Sequence, residues 1–311
     1  MKKISFVIPC YRSENTIMSV VDEIKSKVGE KVEYDYEIIT VNDCSPDNVW
    51  DVLVKAAACD RKVKPISFSK NMGQVNAIMA GLRHSSGDYI VVLDDDGQCP
   101  MNNLWELIEP LEKGQDVSIA AYNTRKQSAF KDFGTWFNET MTHVVLKRPK
   151  NLQFTNFMAL KKNIVKEIVK YDNPYPYMTG LILRCTNKIV NVPMEERNRL
   201  EGGTTYSLGK LISLWLNGMT AFSVLPLRIA TFFGSFCAII GFIFGLVTII
   251  RKFVNPNIAA GYSSTISIIL FVGGVIMVML GMIGEYVGRI YISINNSPQY
   301  TISEKINYDE N

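Results

Sequence analysis

The chain has 311 residues, 47% of them hydrophobic and 20% charged, with a formal net charge of +3. That length can bury one large core or two small ones, and so mild a charge gives no ground for a nucleic-acid partner. Two histidines, His84 and His143, and six scattered cysteines without a CxxC pair make a histidine-rich metal site or a Ser-His-Asp triad a poor expectation.

The opening Met-Lys-Lys runs straight into "ISFVIPC" and not into a secretory leader, so the cysteines read as reduced thiols of a cytosolic domain. "ISFVIPC", "YEIITVN", "VKPISFS" and "DYIVVLD" are short, apolar and rich in β-branched residues, as strands are. Helical stretches at 15–26, 46–60 and 72–85 separate them. This βαβ alternation predicts an α/β fold with a mostly parallel sheet. Ligands of such sheets bind beyond the carboxyl ends of the strands, where the polar loops "PCYRSE", "NDCSPD", "SKNMGQ" and "DDDGQ" fall. No GxGxxG follows the first strand and no GxxxxGK[ST] occurs, so neither a dinucleotide fingerprint nor a P-loop accounts for that edge.

The stretch "VVLDDDGQCP" places three carboxylates directly after a buried run, and like charges repel unless donors or a cation stand between them. Asp94 and Asp96 are spaced to present oxygens to a hard cation, Mg²⁺ or Mn²⁺, which can bridge the oxygens of a diphosphate. A solvated acidic turn is the alternative for so short a pattern.

Two later stretches, "SAFKDFGTWFNETMTHVVLKR" (128–148) and "YSLGKLISLWLNGMTAF" (206–222), mix aromatics with lysines at helical spacing, as interfacial helices or ordinary core helices do. From residue 229 the composition changes. Residues 229–250 and 263–284 carry no charge and are bounded by Arg251-Lys252 and Glu285, which predicts two membrane spans, at 229–250 and 263–288. "GFIFG" at 241–245 is a GxxxG packing candidate.

Taken together, "VIPCYRSE", "VNDCSPD", "SKNMGQVNAIMAGL", "LDDDGQ", "RLEGGTTYSLGKL", "FSVLPLRIATFFG" and "GEYVGRIY" resemble the family-2 glycosyltransferases that work on polyprenyl phosphates, a group that includes dolichol-phosphate mannose synthase. The resemblance implies a nucleotide-binding GT-A fold, a membrane anchor and an inverting transfer. It divides the chain into a catalytic domain at 1–205, an interfacial helix at 206–228, and two membrane helices with a short cytoplasmic tail at 229–311. It implies a nucleoside-diphosphate sugar donor, a polyprenyl phosphate acceptor, a lipid bilayer as partner and no nucleic acid, and it leaves a homo-oligomer open. A glycosyltransferase acting on a saccharide is the alternative, although the QxxRW motif of processive synthases is absent.

The resemblance places Pro9, Tyr11 and Glu14 around the nucleotide and Asp43 on its base or ribose. Asp43 and Ser45 could instead cap the helix beginning near Pro46. Lys70 and Asn71 stand beside the diphosphate or merely decorate a turn. Asp94 and Asp96 hold metal and diphosphate, and Gln98 faces sugar or acceptor. Arg199, Gly202, Thr204 and Tyr206 fit the family's mobile Arg-x-x-Gly-x-Ser segment, which approaches the phosphates, a task suited to the planar fork of arginine. The chain departs from the pattern at Cys44 for glycine, Cys99 for an acid, Thr205 for lysine, and Asn156 and Met158 for Asp and Arg.

Overall fold

A computed structural model describes residues 1–122, 152–195, 197, 225–254, 261–295 and 298–308. They form two compact units, one of residues 1–211 with 296–311 and the other of 212–295.

The first unit begins with three strand–helix pairs. These are β1 (Lys2–Cys10), α1 (Ile17–Gly29), β2 (Tyr34–Asn42), α2 (Val49–Cys59), β3 (Val63–Phe68) and α3 (Gln74–His84), followed by β4 (Tyr89–Val92). β1 is buried continuously from Ile4 to Cys10, which is why its sequence is apolar on both faces, with Ser5 the one polar side chain in the run, and not alternating. α1 buries Ile17, Val20, Val21, Ile24 and Val28, a single stripe at helical spacing. The helices start two or three residues later than the sequence predicts. The residues before them are drawn into loops by side-chain hydrogen bonds, as at Asp47 and Gly73.

The chain continues through α4 (Leu104–Glu112), β5 (Val117–Tyr122), β6 (Met158–Lys161), α5 (Lys162–Ile168), α6 (Met178–Cys185) and β7 (Ile189–Met194). Strand β8 (Ile302–Lys305) follows the second unit. Among the described residues the sheet has the order β7-β5-β6-β4-β1-β2-β3-β8. β4, β1, β2 and β3 run parallel, whereas β6 is antiparallel to both β4 and β5 and β8 is antiparallel to β3. The sequence reading left 298–308 as a tail without an element. Instead it covers the outer edge of β3, with Tyr300 stacked on Phe68 at 5.0 Å and the Ile306 N–H donating to the Pro65 carbonyl at 3.1 Å.

The second unit contains α7 (Leu225–Val254) and α8 (Tyr262–Ile294). One 18-residue window, Phe271–Gly288 in α8, is long and apolar enough to cross a membrane, with a mean hydropathy of 1.7 and none of it buried. In α7 the apolar stretch among the described residues, Ala230–Ile243, is shorter than that window, so one crossing helix is supported and not clearly the two expected. The helices approach closely at Gly234, where a Cβ would lie 2.3 Å from Met279 Cε. A Cβ at Gly241 would meet nothing within 4 Å, so the first glycine of "GFIFG" does not make this contact.

At the amino-terminal edge of the sheet Glu37 of β2 is 1% exposed and ties four segments together. It accepts hydrogen bonds from Lys3 Nζ at 2.9 Å, Lys64 Nζ at 3.0 Å, Ser5 Oγ at 2.6 Å and the Ser86 N–H at 2.7 Å. Burial pushes its carboxyl up, but these donors outweigh burial and hold it at about 2. Its folded value lies below the ordinary 4.5, so its stabilisation is complete above about pH 4.5 and lost as pH falls towards 2. Glu37→Gln is expected to cost about 3 kcal/mol at pH 7, because the two half-buried lysines that meet it lose their counter-charge. Urea unfolding of both proteins from pH 7 to pH 3 should show the gap narrowing below pH 4.5; a gap independent of pH would contradict this role.

Candidate active site

β1, β2, β3 and β4 are parallel, so Cys10, Asn42, Phe68 and Val92 all end at one edge, where α1, α2 and α3 begin. The loops after these four strands therefore meet there, and the acidic loop after β4 is held by the others. The Tyr11 N–H donates to Asp95 Oδ2 at 2.9 Å, and Thr16 Oγ1 donates to the Asp95 carbonyl at 2.7 Å. Burial raises the Asp95 carboxyl above the usual carboxylate range, against the lowering effect of Ser13 and the Tyr11 N–H. Asp94 Oδ1 accepts from Gln74 Nε2 at 2.7 Å, and Asn156 Nδ2 reaches Asp94 Oδ1 at 3.1 Å and Oδ2 at 3.3 Å. Asp96 Oδ1 accepts the Gln98 N–H at 3.0 Å across Gly97, whose φ of +76° is a left-handed turn that suits glycine.

Gln98 is held in its turn. Its Nε2 donates to the Arg197 carbonyl and the Arg197 N–H donates to the Gln98 carbonyl, both at 3.2 Å, while Arg197 Nη1 pairs with Glu23 Oε1 at 2.6 Å. Cys99, which stands for an acid, is buried next to Asp94 and Asp96, and burial raises its thiol so that it stays neutral. The substitution removes a like charge from an already acidic loop.

Asp43 is 3% exposed and takes the Met72 N–H at 2.6 Å and the Gly73 N–H at 2.8 Å on its two oxygens. Burial raises its carboxyl against those two donors. Asn71 Nδ2 donates to the Asp43 carbonyl at 3.1 Å. Asp43 thus fastens the loop ahead of α3 and does not cap α2. Glu14 Oε2 accepts the N–H of Asn48, the residue just before α2, at 2.9 Å. Ser45 bonds Asp47 at 2.5 Å and accepts the Arg12 N–H at 2.7 Å. Pro9 is buried in β1 opposite Val41, Tyr11 is 45% exposed with the Arg12 guanidinium 5.5 Å from its ring, and Lys70 is exposed at the same edge. Arg199, Gly202, Thr204, Thr205 and Tyr206, with the stretch 128–148, lie outside the described residues.

The sequence reading missed Gln74, whose only sign was its place directly after Gly73 at a helix start, and it saw Asn156 only as a missing acid. Among the described residues no group of three or more His, Cys, Asp or Glu is arranged to hold a metal. Two carboxylates on one loop still fit Mg²⁺ or Mn²⁺, which is commonly bound by one or two carboxylates and completes its shell with water and substrate phosphate.

Cys44, where glycine is usual in the pattern, has a φ of +48°. A side chain in this left-handed region costs about 1–2 kcal/mol, partly offset by the greater chain entropy that glycine loses. Cys44→Gly should therefore raise stability by about 0.5–1 kcal/mol. An unchanged or lower unfolding midpoint would show that the loop is unstrained.

Residues 5–169 match glycosyl transferase family 2, and residues 225–290 match the GtrB C-terminal hairpin. The SfII prophage-derived bactoprenol glucosyl transferase of Shigella flexneri is 32% identical over 305 residues, 97% of this chain and 98% of that protein. The prophage bactoprenol glucosyl transferase homolog of Escherichia coli K12 is 32% identical over 303 residues, 96% of this chain and 98% of that protein. The structure of glucosyl-3-phosphoglycerate synthase from Mycobacterium tuberculosis with Mn²⁺, uridine-diphosphate-glucose and phosphoglyceric acid aligns with a TM-score of 0.53 at 17% identity. It covers 71% of this chain and 78% of that one, and it shares the fold. An acidic loop at the carboxyl ends of parallel strands, on a GT-A type α/β sheet and with full-length relatives of this kind, has one reading: the chain belongs to glycosyl transferase family 2.

Proposed function

We propose that the protein transfers one sugar from a nucleoside-diphosphate donor to a polyprenyl phosphate at the cytoplasmic face of a membrane, with inversion at the anomeric carbon. The full-length likeness to bactoprenol glucosyl transferases supports this reading, and it makes glucose the first sugar to test. The structural observation that carries it is an acidic edge that holds no histidine among the described residues. His84, the histidine among the described residues, ends α3 at the opposite edge, bonded to the Ala80 carbonyl at 2.8 Å and packed against Tyr308. Asn156, beside Asp94, is a carboxamide and cannot accept a proton as a carboxylate would.

A hydroxyl acceptor normally needs such a base, whereas a phosphate acceptor does not. A phosphomonoester with a second pKa of about 6 is largely dianionic at neutral pH. One of its oxygens attacks the anomeric carbon, the bond from that carbon to the donor diphosphate breaks, and the nucleoside diphosphate leaves. Asp94 and Asp96 would hold a divalent cation, Mg²⁺ or Mn²⁺, which when bound offsets the charge of the leaving diphosphate. Gln98 faces the sugar or the acceptor. Arg199, Thr204 and Tyr206 meet the phosphates, while Pro9, Tyr11, Glu14, Asp43, Lys70 and Asn71 surround the nucleotide.

In this reading residues 1–205 are the catalytic domain, 206–228 an interfacial segment whose last four residues are the first of α7, and α7 and α8 both cross the bilayer, leaving both chain ends in the cytoplasm. A lipid phosphate is then presented at the bilayer surface.

Purified protein should glycosylate polyprenyl phosphate but not polyprenol or soluble sugars, with the rate falling as pH drops through about 6. Excess chelator or Asp96→Ala should abolish transfer while the protein stays folded. Mass spectrometry of the lipid product reads all of these, and efficient transfer to polyprenol with none to polyprenyl phosphate would sink the reading. For topology, reporters fused at residue 257 and at the carboxyl terminus should report opposite sides of the membrane; one common side would refute two crossings.

A further inference from the structure

We infer that the carboxamides of Gln74 and Asn156 are positioning residues that clamp Asp94 in the orientation needed to meet a cation–diphosphate pair, without cancelling its charge. This rests on the donor-site reading above. The clamp comes from two separate elements. Gln74 is the first residue of α3, and its Nε2 lies 2.7 Å from Asp94 Oδ1. Asn156 lies just ahead of β6. The antiparallel pairing of Val92 with Met158, continued two residues outward, sets Asn156 opposite Asp94, and its Nδ2 lies 3.1 and 3.3 Å from the two carboxylate oxygens.

The choice of amides has a physical consequence. A lysine or arginine at either position would fix the carboxylate equally well but would neutralise it, and a second carboxylate would repel it. A neutral donor orients Asp94 without itself bringing a positive charge that would compete with a divalent cation. The neighbouring carboxylates likewise take neutral donors, Asp95 the Tyr11 N–H and Asp96 the Gln98 N–H. Asn156, read from sequence as a lost acid, is thus a gained donor. Gln74 supplies a bond to the same oxygen.

A hydrogen bond to a charged group contributes about 1.5–3 kcal/mol, so each loss should weaken cation–nucleotide binding roughly 10-fold or more. The test is a double-mutant cycle read by titration calorimetry of the full-length, detergent-solubilised protein with Mn²⁺ and either uridine or guanosine diphosphate, up to millimolar nucleotide. Gln74→Ala and Asn156→Ala should each lose about 10-fold in affinity with the unfolding midpoint little changed. On an Asp94→Asn background, which keeps the side-chain shape and removes the charge, either substitution should change affinity by less than about 2-fold. Equal losses on both backgrounds would show that the carboxamides act on the ligand directly, and no loss on the native background would show that they position nothing; either result overturns the clamp. Failure of the unsubstituted protein to bind Mn²⁺ with either nucleotide would instead sink the donor-site reading, and the clamp with it.

Discussion

Three consecutive carboxylates at the end of a buried strand are the constraint around which this edge of the molecule is built. Asp94, Asp95 and Asp96 cannot stand together on a half-buried loop unless each finds a donor; Asp94 and Asp95 find theirs on other segments and Asp96 on its own loop. Asp95 draws the turn after β1, Asp94 draws α3 and the approach to β6, and Asp96 folds its own loop back at Gly97. Through Gln98 the loop also holds Arg197 and so reaches α1. One acidic loop thereby fixes the relative positions of most of the segments that surround it.

The two edges of the sheet solve the problem of a buried carboxylate in opposite ways. At the amino-terminal edge Glu37 is matched by Lys3 and Lys64, and the charges cancel in a structural tie. At the carboxyl-terminal edge Asp43, Asp94 and Asp96 accept from peptide N–H groups and carboxamides, and Asp95 from the Tyr11 N–H and the Ser13 hydroxyl. These donors bring no positive charge of their own. Asp43 shows the same economy with two backbone donors and no lysine. Neutral donors at this edge suit a sheet whose ligands bind beyond the carboxyl ends of its strands.

The parallel half of the fold was legible because β1 to β4 are buried on both faces and read as apolar runs at regular intervals. β6 was not, being four residues long and following a stretch that carries no strand pattern of its own. Missing β6 meant that Asn156 could not be placed against Asp94, so it registered only as a departure from a pattern. β8 was hidden for another reason: "ISEK" is short, and three of its four residues are exposed. The acidic loop could be read from residue types, but its donors could not, since they depend on strand register and helix starts that no local spacing encodes. The left-handed turn at Cys44 was foreshadowed by the glycine usual there, a backbone requirement visible through the family pattern alone.

The central claim is that the acidic loop is organised by protein donors before any cation or nucleotide arrives. Amide hydrogen exchange of the full-length protein, read by mass spectrometry at residues 11, 72, 73 and 98, tests it most directly, because these are the N–H groups that donate to Asp95, Asp43 and Asp96. The account predicts that all four are already protected without Mn²⁺ and nucleotide, and that addition of both deepens the protection only slightly. Full-speed exchange in the free protein, with protection appearing only on addition of both, would contradict it.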